Sequence, residues 1–575
     1  MNRFKWNDLP WHLRQGLLAG GAGRAHLAGL AQASLHAARS HARDVERSSL
    51  LARLGFDLLL AAWEEDPLNG ALAGPLLTLG GNGLGPDLRC ALEWLRTHWK
   101  PQARVERMAL RGDVAGLLEL LRNQGREGRA DPQLLRSWLE TVLVGGDPES
   151  LPAVLDHLER FGWQGPALLP ARLARAHALA AVAPADAVDE LRVLAELLPL
   201  PGRLEELGHG LYHAGEREQA LQCWAKSLAA RPWNVNLTLR ARDVLQGLDR
   251  EAVPLAGECS ILLYSWNKAH DLERCFAALE ATSPKYLHSA RIVALDNGSS
   301  DCTPEVLRRW QERWGADRFA TVRLAVNVGA PAARNWLLAR EDVRARPWTL
   351  FLDDDALVPA DWLGRLGAAV QRFPGAGVWG CTVVDAGRPW VVQNADLHLR
   401  GSGPKRGKED GGQDSRVNPA PSARTGGQPP AVPLTDIQNQ GPALGRFDSL
   451  RTCVSVTGCC HLFRTATLVE QGGFDIRYSP SQFDDLDRDL RAAAQGGYAV
   501  CQGFLRVEHL KRSGTAARRG VEAASSGQGN LVKLLARFGA SERERMAREQ
   551  AARVQGEVER ARRELEQTLE TRPCP

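Results

Sequence analysis

Three consecutive aspartates, Asp353, Asp354 and Asp355, follow an apolar run in the segment FLDDDALVPADWL. Adjacent carboxylates repel one another, so this arrangement calls for a positively charged partner. Carboxylate oxygens are the ligands that Mg²⁺ and Mn²⁺ prefer, and a cation held here would in turn bind phosphate. For an isolated acidic run, a polar strand end or a helix cap would be the better explanation. The interpretation therefore depends on the elements that surround it.

Those elements alternate between strands and helices from about residue 258 onwards. Short β-branched or apolar runs are separated by amphipathic segments, which predicts a βαβαβαβ order and a largely parallel sheet. Polar side chains follow each of the first four predicted strands: Asn267, Asp296, Asn327 and then the three aspartates. Parallel strands bring their carboxyl ends to one edge, where open α/β sheets bind ligands. The sequence therefore predicts that these side chains converge.

Four segments carry a resemblance to a known family. SILLYSWN, ALDNGSSD, NVGAPAARN and FLDDD occur in this order, and they resemble the inverting family-2 glycosyltransferases with the GT-A fold over about residues 258–513. Tyr264, Ser265 and Trp266 replace the family's usual Pro-Thr-Tyr. The resemblance implies an α/β GT-A fold, a nucleotide-diphospho-sugar donor and a Mn²⁺ or Mg²⁺ cofactor. The donor-binding residues that it implies are Ser265, Asn267, Asp296, Asn297, Asn327, Gly329, Arg334, Asn335, Asp353 and Asp354.

A second set of motifs resembles the family's acceptor half. The helix segment SQFDDLDRDLR stands where the family has Glu-Asp-x-Asp-Leu-x-x-Arg. An acceptor hydroxyl must lose its proton as it attacks the anomeric carbon, so a carboxylate base is needed within hydrogen-bond reach. Asp484 is the first candidate for this base and Asp485 the second. Helical spacing places Asp484 and Asp487 on one face and Asp485 on another.

The resemblance also implies a metal site and a diphosphate or acceptor side. The implied metal ligands are Asp353, Asp355 and His509, which stands 25 residues after Asp484 and just past a predicted strand. A lone histidine is otherwise more often a structural or surface residue. The residues implied on the acceptor or diphosphate side are Gly458, Asp487 and Lys511.

The cysteines suggest reduced thiols. The chain contains 11 of them, an odd and irregularly spaced set that fits free thiols better than a disulfide framework. In the GCCH segment, Cys459 and Cys460 should point to opposite faces of a strand, and no second cysteine pair follows. We therefore do not predict a zinc site there.

Four regions are expected along the chain. Residues 1–165 are helical, and 166–250 resemble tetratricopeptide-like helical repeats, with a generic helical bundle as the alternative. The GT-A domain occupies 256–515 and contains a flexible insertion at about 400–434, which is dense in Gly, Pro and charge. Residues 516–575 form a charged tail, which we interpret as a solvated helix.

Composition narrows the function further. Lys and Arg number 72 against 68 Asp and Glu, so nothing favours nucleic acid as a partner, and no run of about 20 apolar residues predicts a transmembrane segment. A cytoplasmic protein is expected, with peripheral attachment to the inner face of the membrane as an option. The acceptor would be a saccharide, a lipid-linked saccharide or a protein, and the helical repeats could bind a protein partner. The alternatives are a helical-repeat adaptor with an inactive glycosyltransferase domain and a nucleotidyltransferase.

Overall fold

The second half of the chain folds around a mixed sheet of ten strands, and the described part of the first half is helical. The computed structural model describes residues 5–20, 23–126, 131–145, 151–152, 155, 165–399, 441–510 and 521–571. The insertion predicted at about 400–434 and the predicted site residue Lys511 lie outside these residues. The strands are β1 Cys259–Ser265, β2 Ala290–Asp296, β3 Phe319–Arg323, β4 Trp348–Leu352, β5 Ala356–Leu357, β6 Val378–Asp385, β7 Arg388–Asn394, β8 Leu450–Cys453, β9 Cys460–Arg464 and β10 Ala499–His509.

The helices fall into three groups along the chain. Those before the sheet are Trp11–Leu18, Arg24–Ser40, Val45–Glu64, Gly70–Gly80, Pro86–His98, Ala103–Arg111, Val114–Arg126, Pro132–Glu140, Leu168–Val182, Val188–Leu197, Pro201–His213, Arg217–Ala230 and Val235–Gln246. Those among the strands are Ala269–Glu280, Pro284–Leu287, Thr303–Trp314, Ala330–Leu338, Glu341–Arg344, Trp362–Arg372, Thr465–Glu470 and Asp484–Ala494. Those after the sheet are Val521–Arg537 and Ala540–Thr571.

The strand order is β3-β2-β1-β4-β9-β6-β10-β5, with β7 paired to β6 and β8 to β10. The predicted parallel alternation is confirmed for the first four strands, since β1 runs parallel to both β2 and β4, and β2 runs parallel to β3. Strand β9 then enters antiparallel between β4 and β6, and β10 returns parallel to β6. The carboxyl ends of β1, β2 and β4 therefore share one edge, as the sequence predicts.

Alternating apolar side chains give the sheet two buried faces. On one face Ile261 and Leu263 pack with Phe276 and Trp310, which come from the helices Ala269–Glu280 and Thr303–Trp314. On the other face Leu262 packs with residues of the helix Ala330–Leu338. Strand side chains alternate with a period of two, so successive residues of β1 serve opposite cores. The strands whose carboxyl ends carry the predicted site residues are thereby held between two packed layers of helices.

Close helix pairing characterises the region before the sheet. The helices Pro201–His213 and Arg217–Ala230 lie so near each other that a Cβ on Gly208 would stand 2.3 Å from Trp224 Nε1 and 3.1 Å from the Ala220 carbonyl oxygen. Glycine at 208 lets the two backbones approach, which is the role that the repeat pattern assigns to small residues. The repeat assignment itself stays a prediction.

The helical half is docked on the sheet through strand β8. The buried Arg451 guanidinium donates to the Leu18 carbonyl oxygen at 2.9 Å and to Asn236 Oδ1 at 3.2 Å. The Thr452 hydroxyl donates to Glu557 Oε1 at 2.6 Å. Because buried polar groups are costly to separate from their partners, these bonds hold the helices and the sheet together.

The C-terminal helix Ala540–Thr571 corrects one prediction. It is not a solvated helix, because one of its faces is buried against the N-terminal helices and β8. Its charged residues outnumber its apolar ones, yet the apolar ones recur every three or four residues and form a continuous stripe. The buried positions of that stripe are Met546, Ala547, Ala551, Val554, Val558, Ala561 and Leu565. Among the helices of the described residues, none is both long enough and apolar enough to cross a bilayer.

Candidate active site

The predicted polar side chains meet at the carboxyl edge of the parallel strands. Ser265 at the end of β1 pairs in register with Asp296 at the end of β2, and Asp353 directly follows β4. The side chains of Asn297 and Asn327 bond to each other, with Nδ2 of the first 2.9 Å from Oδ1 of the second. The convergence expected from strand order is present in the structure.

The loops after β2 and β3 form one hydrogen-bonded unit. The buried Asp296 accepts from the Ser299 backbone N–H at 2.8 Å, and its Oδ2 lies 3.3 Å from Arg323 Nε. Asn327 Oδ1 also accepts from the Gly329 N–H at 2.8 Å. Gly329 has a φ of +83°, and a Cβ there would stand 3.0 Å from Ser479 Oγ. A glycine is therefore required where this loop turns into the helix Ala330–Leu338.

Arg334 connects the two halves of the site. Its guanidinium is buried, forms an ion pair with Asp484, lies 3.6 Å from Asp353 Oδ1 and donates to the Gly458 carbonyl oxygen at 3.3 Å. Burial alone would lower the pKa of Arg334, but Tyr264, Asp484 and Asp353 outweigh it and raise that pKa above its ordinary value. One guanidinium therefore spans the end of β4 and the start of the helix Asp484–Ala494.

Lys268 and His509 partner the aspartate run. Lys268 Nζ lies 2.6 Å from Asp355 Oδ2 and 3.2 Å from Asp354 Oδ1, and His509 Nε2 lies 2.9 Å from Asp355 Oδ1. Burial would raise the pKa of Asp355, but His509 and Lys268 more than offset it, so that pKa lies below its ordinary value. For Asp354, burial prevails and raises the pKa to about 6. Asp355 is thus the stable anion of the run.

A set of metal-ligand atoms converges at the same place. A carboxylate oxygen of Asp353, the thiol sulfur of Cys459 and a ring nitrogen of His509 all lie within 4.8 Å of one another. The Asp353 backbone N–H donates to the Cys459 carbonyl oxygen at 2.8 Å, which fixes the end of β4 against the start of β9. His509 Nδ1 contacts Gln393 Oε1 at 2.8 Å, and this contact orients the ring. The donor set fits a divalent cation, since the oxygen and nitrogen ligands are already gathered.

Among the carboxylates predicted for the acceptor half, Asp484 and Asp485 lie together and Asp487 lies apart. Asp484 is buried in its pair with Arg334. Asp485 is half-buried and accepts from the Gly458 backbone N–H at 2.7 Å and from the Leu486 N–H at 2.8 Å. Burial, and then the neighbouring charge of Asp484, raises the pKa of Asp485 to about 6.

Asp484 and Asp487, which are predicted to share a helix face, contact different groups in the structure. Asp487 instead accepts from the Tyr478 hydroxyl at 3.0 Å and from Arg491 Nε at 3.1 Å, away from Arg334. The reason is that Asp484 is the first residue of the helix, where Phe483 has a φ of +69° and the chain enters from a turn.

Two further residues predicted to bind the donor hold loops in place. Asn335 Nδ2 donates to the Phe474 carbonyl oxygen at 2.7 Å, and its Oδ1 accepts from the Phe474 N–H at 2.9 Å. Asn267 Oδ1 accepts from the Ser300 N–H at 2.8 Å. Both side chains thus position main chain at the edge of the site.

Sequence reasoning missed two residues of the site, Lys268 and Cys459. Lys268 directly follows Asn267, so a cation after β1 and opposite an acidic run was a usable signal. Cys459 was considered only as half of a cysteine pair. Its neighbours Asp353 and His509 are 106 and 50 residues away in the chain, so only the fold brings them together.

A known protein family matches part of the second half of the chain. Residues 260–421 match the model of glycosyl transferase family 2. No curated protein matches the chain. Similar solved structures include GalNAc-T7 with UDP, GalNAc and Mn²⁺, at 15% identity and a TM-score of 0.35 over 50% of this chain and 50% of that one. The alignment thus spans about half the length of that protein.

Two other solved structures are similar over part of the chain. The mannosyltransferase PcManGT from Pyrobaculum calidifontis, in complex with GDP-Man and Mn²⁺, shows 16% identity and a TM-score of 0.32 over 61% of this chain and 86% of that one. Residues 1–349 of S. aureus TarS show 13% identity and a TM-score of 0.27 over 42% and 57%. The predicted fold class, a GT-A domain preceded by an all-helical region, is confirmed. The match to the glycosyl transferase family 2 model identifies a glycosyltransferase domain over residues 260–421 of the chain.

Proposed function

We propose that this protein is an inverting, metal-assisted glycosyltransferase that moves a sugar from a nucleotide-diphosphate donor to a hydroxyl acceptor. The observation that carries the proposal is the position of Arg334, which contacts both Asp353 on the donor side and Asp484 on the acceptor side. A reacting anomeric carbon between these two sides would have a leaving group on one side and a nucleophile on the other. The acceptor is a saccharide, a lipid-linked saccharide or a protein.

The nucleoside would lie along the ends of β1, β2 and β3. Asp296 and Asn297 offer carboxylate and amide groups from buried positions, and the bond between Asn297 and Asn327 fixes the loop beside them. Buried polar groups held by second hydrogen bonds recognise a base without reorganising, which favours binding. The diphosphate would then extend towards Asp353, where Arg334 and Lys268 supply positive charge.

A divalent cation, Mn²⁺ or Mg²⁺, would be held by Asp353, Asp355 and His509. When bound, such an ion neutralises charge on the departing diphosphate. The protein's own part is to gather the ligands: β4 presents the aspartates, and the pairing of Ala356 with His509 between β5 and β10 brings the imidazole beside Asp355. Lys268 holds Asp355 in place from the other side.

Asp485 is the better candidate for the catalytic base. Asp484, the first choice from the sequence, is buried in an ion pair with Arg334, so its carboxylate is already engaged and is less accessible to an acceptor hydroxyl. Asp485 is half-buried, and its pKa of about 6 lies near neutrality, where a general base is most effective. The Gly458 N–H orients its carboxylate.

The proposed reaction is a single displacement. Asp485, whose carboxylate is held by the Gly458 N–H, takes the proton of the acceptor hydroxyl. The acceptor oxygen then forms a bond to the anomeric carbon as the bond to the diphosphate breaks, with inversion at that carbon. Ion pairing of Asp484 with Arg334 keeps that carboxylate from attacking the sugar itself.

A donor screen tests the proposal. Purified protein would be incubated with nucleotide-diphosphate sugars and MnCl₂, and release of nucleoside diphosphate would be measured with and without EDTA. We expect hydrolysis of at least one donor, which EDTA or Asp355→Ala abolishes. Hydrolysis that is unchanged in excess EDTA would contradict the metal role, and binding of no nucleotide at all would contradict the function.

A further inference from the structure

The position of Cys459 adds a thiol to the ligand set of the site. This residue stands between Gly458 and the first residue of β9, and its side chain is buried. Its sulfur is within 4.8 Å of a carboxylate oxygen of Asp353 and of a ring nitrogen of His509. The three groups come from three separate elements, the ends of β4 and β10 and the start of β9. Three separate elements therefore bring their ligand atoms within reach of a single ion.

The neighbouring cysteine does not share this position. Cys460 lies in β9 opposite Leu352 of β4, and its sulfur faces Cys381 of β6 in the apolar core. Side chains of successive strand residues point to opposite faces. Cys459 and Cys460 thus differ in surroundings although they are adjacent in the sequence, and they form a matched pair for experiment.

One carboxylate, one thiolate and one imidazole form a ligand set that suits zinc. Mg²⁺ and Mn²⁺ bind mainly oxygen, whereas thiolate ligands select thiophilic ions such as Zn²⁺. We infer that Asp353, Cys459 and His509 together bind Zn²⁺ at the diphosphate end of the site, with the fourth position open to water or to a donor oxygen. This inference rests on the proposed function, because it shares Asp353 and His509 with the proposed metal site.

The geometry requires only a small adjustment. In a tetrahedral zinc site with metal–ligand bonds of about 2.0–2.3 Å, the ligand atoms lie about 3.5 Å apart. Side-chain rotations that move the ligand atoms by about 1 Å would bring them from their present separation to that distance. On binding, the Cys459 S–H bond breaks, its proton leaves to solvent and the sulfur–metal bond forms. No electron is transferred.

Cobalt reports such a bond directly, because a cobalt–thiolate bond absorbs in the near ultraviolet. The full chain, freed of metal with EDTA and desalted under reducing conditions, would be titrated with CoCl₂ and then with ZnCl₂. The variants are Cys459→Ala, Cys459→Ser, which keeps the side-chain size, and the control Cys460→Ala. Thermal unfolding of each variant shows whether it is folded.

We expect a thiolate absorption band that saturates with one equivalent of Co²⁺ and disappears when Zn²⁺ is added. Both Cys459 variants should lack the band, and their Zn²⁺ affinity should fall by about tenfold or more, since loss of even an outer partner costs 10- to 100-fold. The Cys460→Ala variant should keep the absorption band and the native Zn²⁺ affinity. The Mn²⁺ affinity should change little in all three cysteine variants.

The outcomes separate this inference from the proposed function. A band that persists in folded Cys459→Ser, or Co²⁺ binding with no thiolate band, would overturn the role of Cys459 while Mn²⁺-dependent nucleotide binding could remain. A Cys459-dependent band in a protein that binds no nucleotide diphosphate would instead support the zinc site and contradict the proposed function.

Discussion

Replacing Asp485 by Asn should lower the rate of catalysis and raise the stability of the fold above pH 6. The variant removes the proposed base but keeps an oxygen that can accept from the Gly458 N–H. Loss of a general base lowers the rate by roughly 10²- to 10⁴-fold. Donor binding should change little, because Asp485 lies on the acceptor side of Arg334. The expected kinetic result is therefore a large fall in kcat with a nearly unchanged KM for the donor.

The effect on stability follows from the raised pKa. A shift from 3.8 to about 6 spans roughly two units, which is at most about 3 kcal/mol at 1.36 kcal/mol per unit, and partial exposure reduces it to about 1–3 kcal/mol. Between pH 4 and 6 the folded protein holds a proton that the unfolded chain has released, so its stability falls as the pH rises through this window. The amide of the Asp485→Asn variant cannot ionise and avoids this loss.

The assay combines two measurements on the same preparations. Thermal unfolding of both proteins between pH 4 and 8 should give similar Tm values at pH 4 and a higher Tm for Asp485→Asn above pH 6. Transfer or donor hydrolysis by the native protein should decline below about pH 6 as Asp485 becomes protonated. A variant with more than a tenth of native turnover would contradict the role of Asp485 as the base. A Tm difference that does not depend on pH would contradict its raised pKa.

Further substitutions test the neighbouring groups. Asp484→Asn removes the nearer of the two carboxylates that pair with the buried Arg334 and should lower the free energy of unfolding by about 3 kcal/mol in urea titrations. Equal stability would contradict the importance of this pair. Gly458→Ala places a Cβ 2.7 Å from Arg334 Nη2 and should lower kcat by about 10²-fold with little change in Tm. Unchanged kinetics would show that the space beside Arg334 accommodates the added methyl group. Asp296→Ala should weaken nucleotide binding by about tenfold, or 1.4 kcal/mol, in calorimetry while Mn²⁺ binding persists.

Strand order made much of the site predictable. Polar residues that end parallel strands must meet at one edge, so Asp296, Asn327 and the aspartate run could be grouped from the sequence. Arg334 could be added from the resemblance alone. The buried stripe of the C-terminal helix was also visible as a three-and-four spacing, but its high charge favoured a solvated helix instead.

Other features depend on contacts that no local pattern reveals. Cys459 and His509 meet only because β9 and β10 run on either side of β6, an order that the βαβ alternation does not predict. The choice between Asp484 and Asp485 depends on which one Arg334 neutralises, and a helical wheel cannot show that at the first residue of a helix. Residue spacing in the sequence could therefore not identify these two features, which depend on strand pairing and on the contacts of Arg334.

The most direct test of the account is nucleotide-diphosphate binding measured by isothermal titration calorimetry. UDP, GDP and dTDP would be titrated into the full chain with MnCl₂ and with EDTA, for the native protein and for Asp355→Ala. We expect at least one nucleotide to bind in Mn²⁺, and we expect both EDTA and Asp355→Ala to weaken this binding by about tenfold or more, a loss of about 1.4 kcal/mol or more. Equal affinity under all of these conditions would contradict the account.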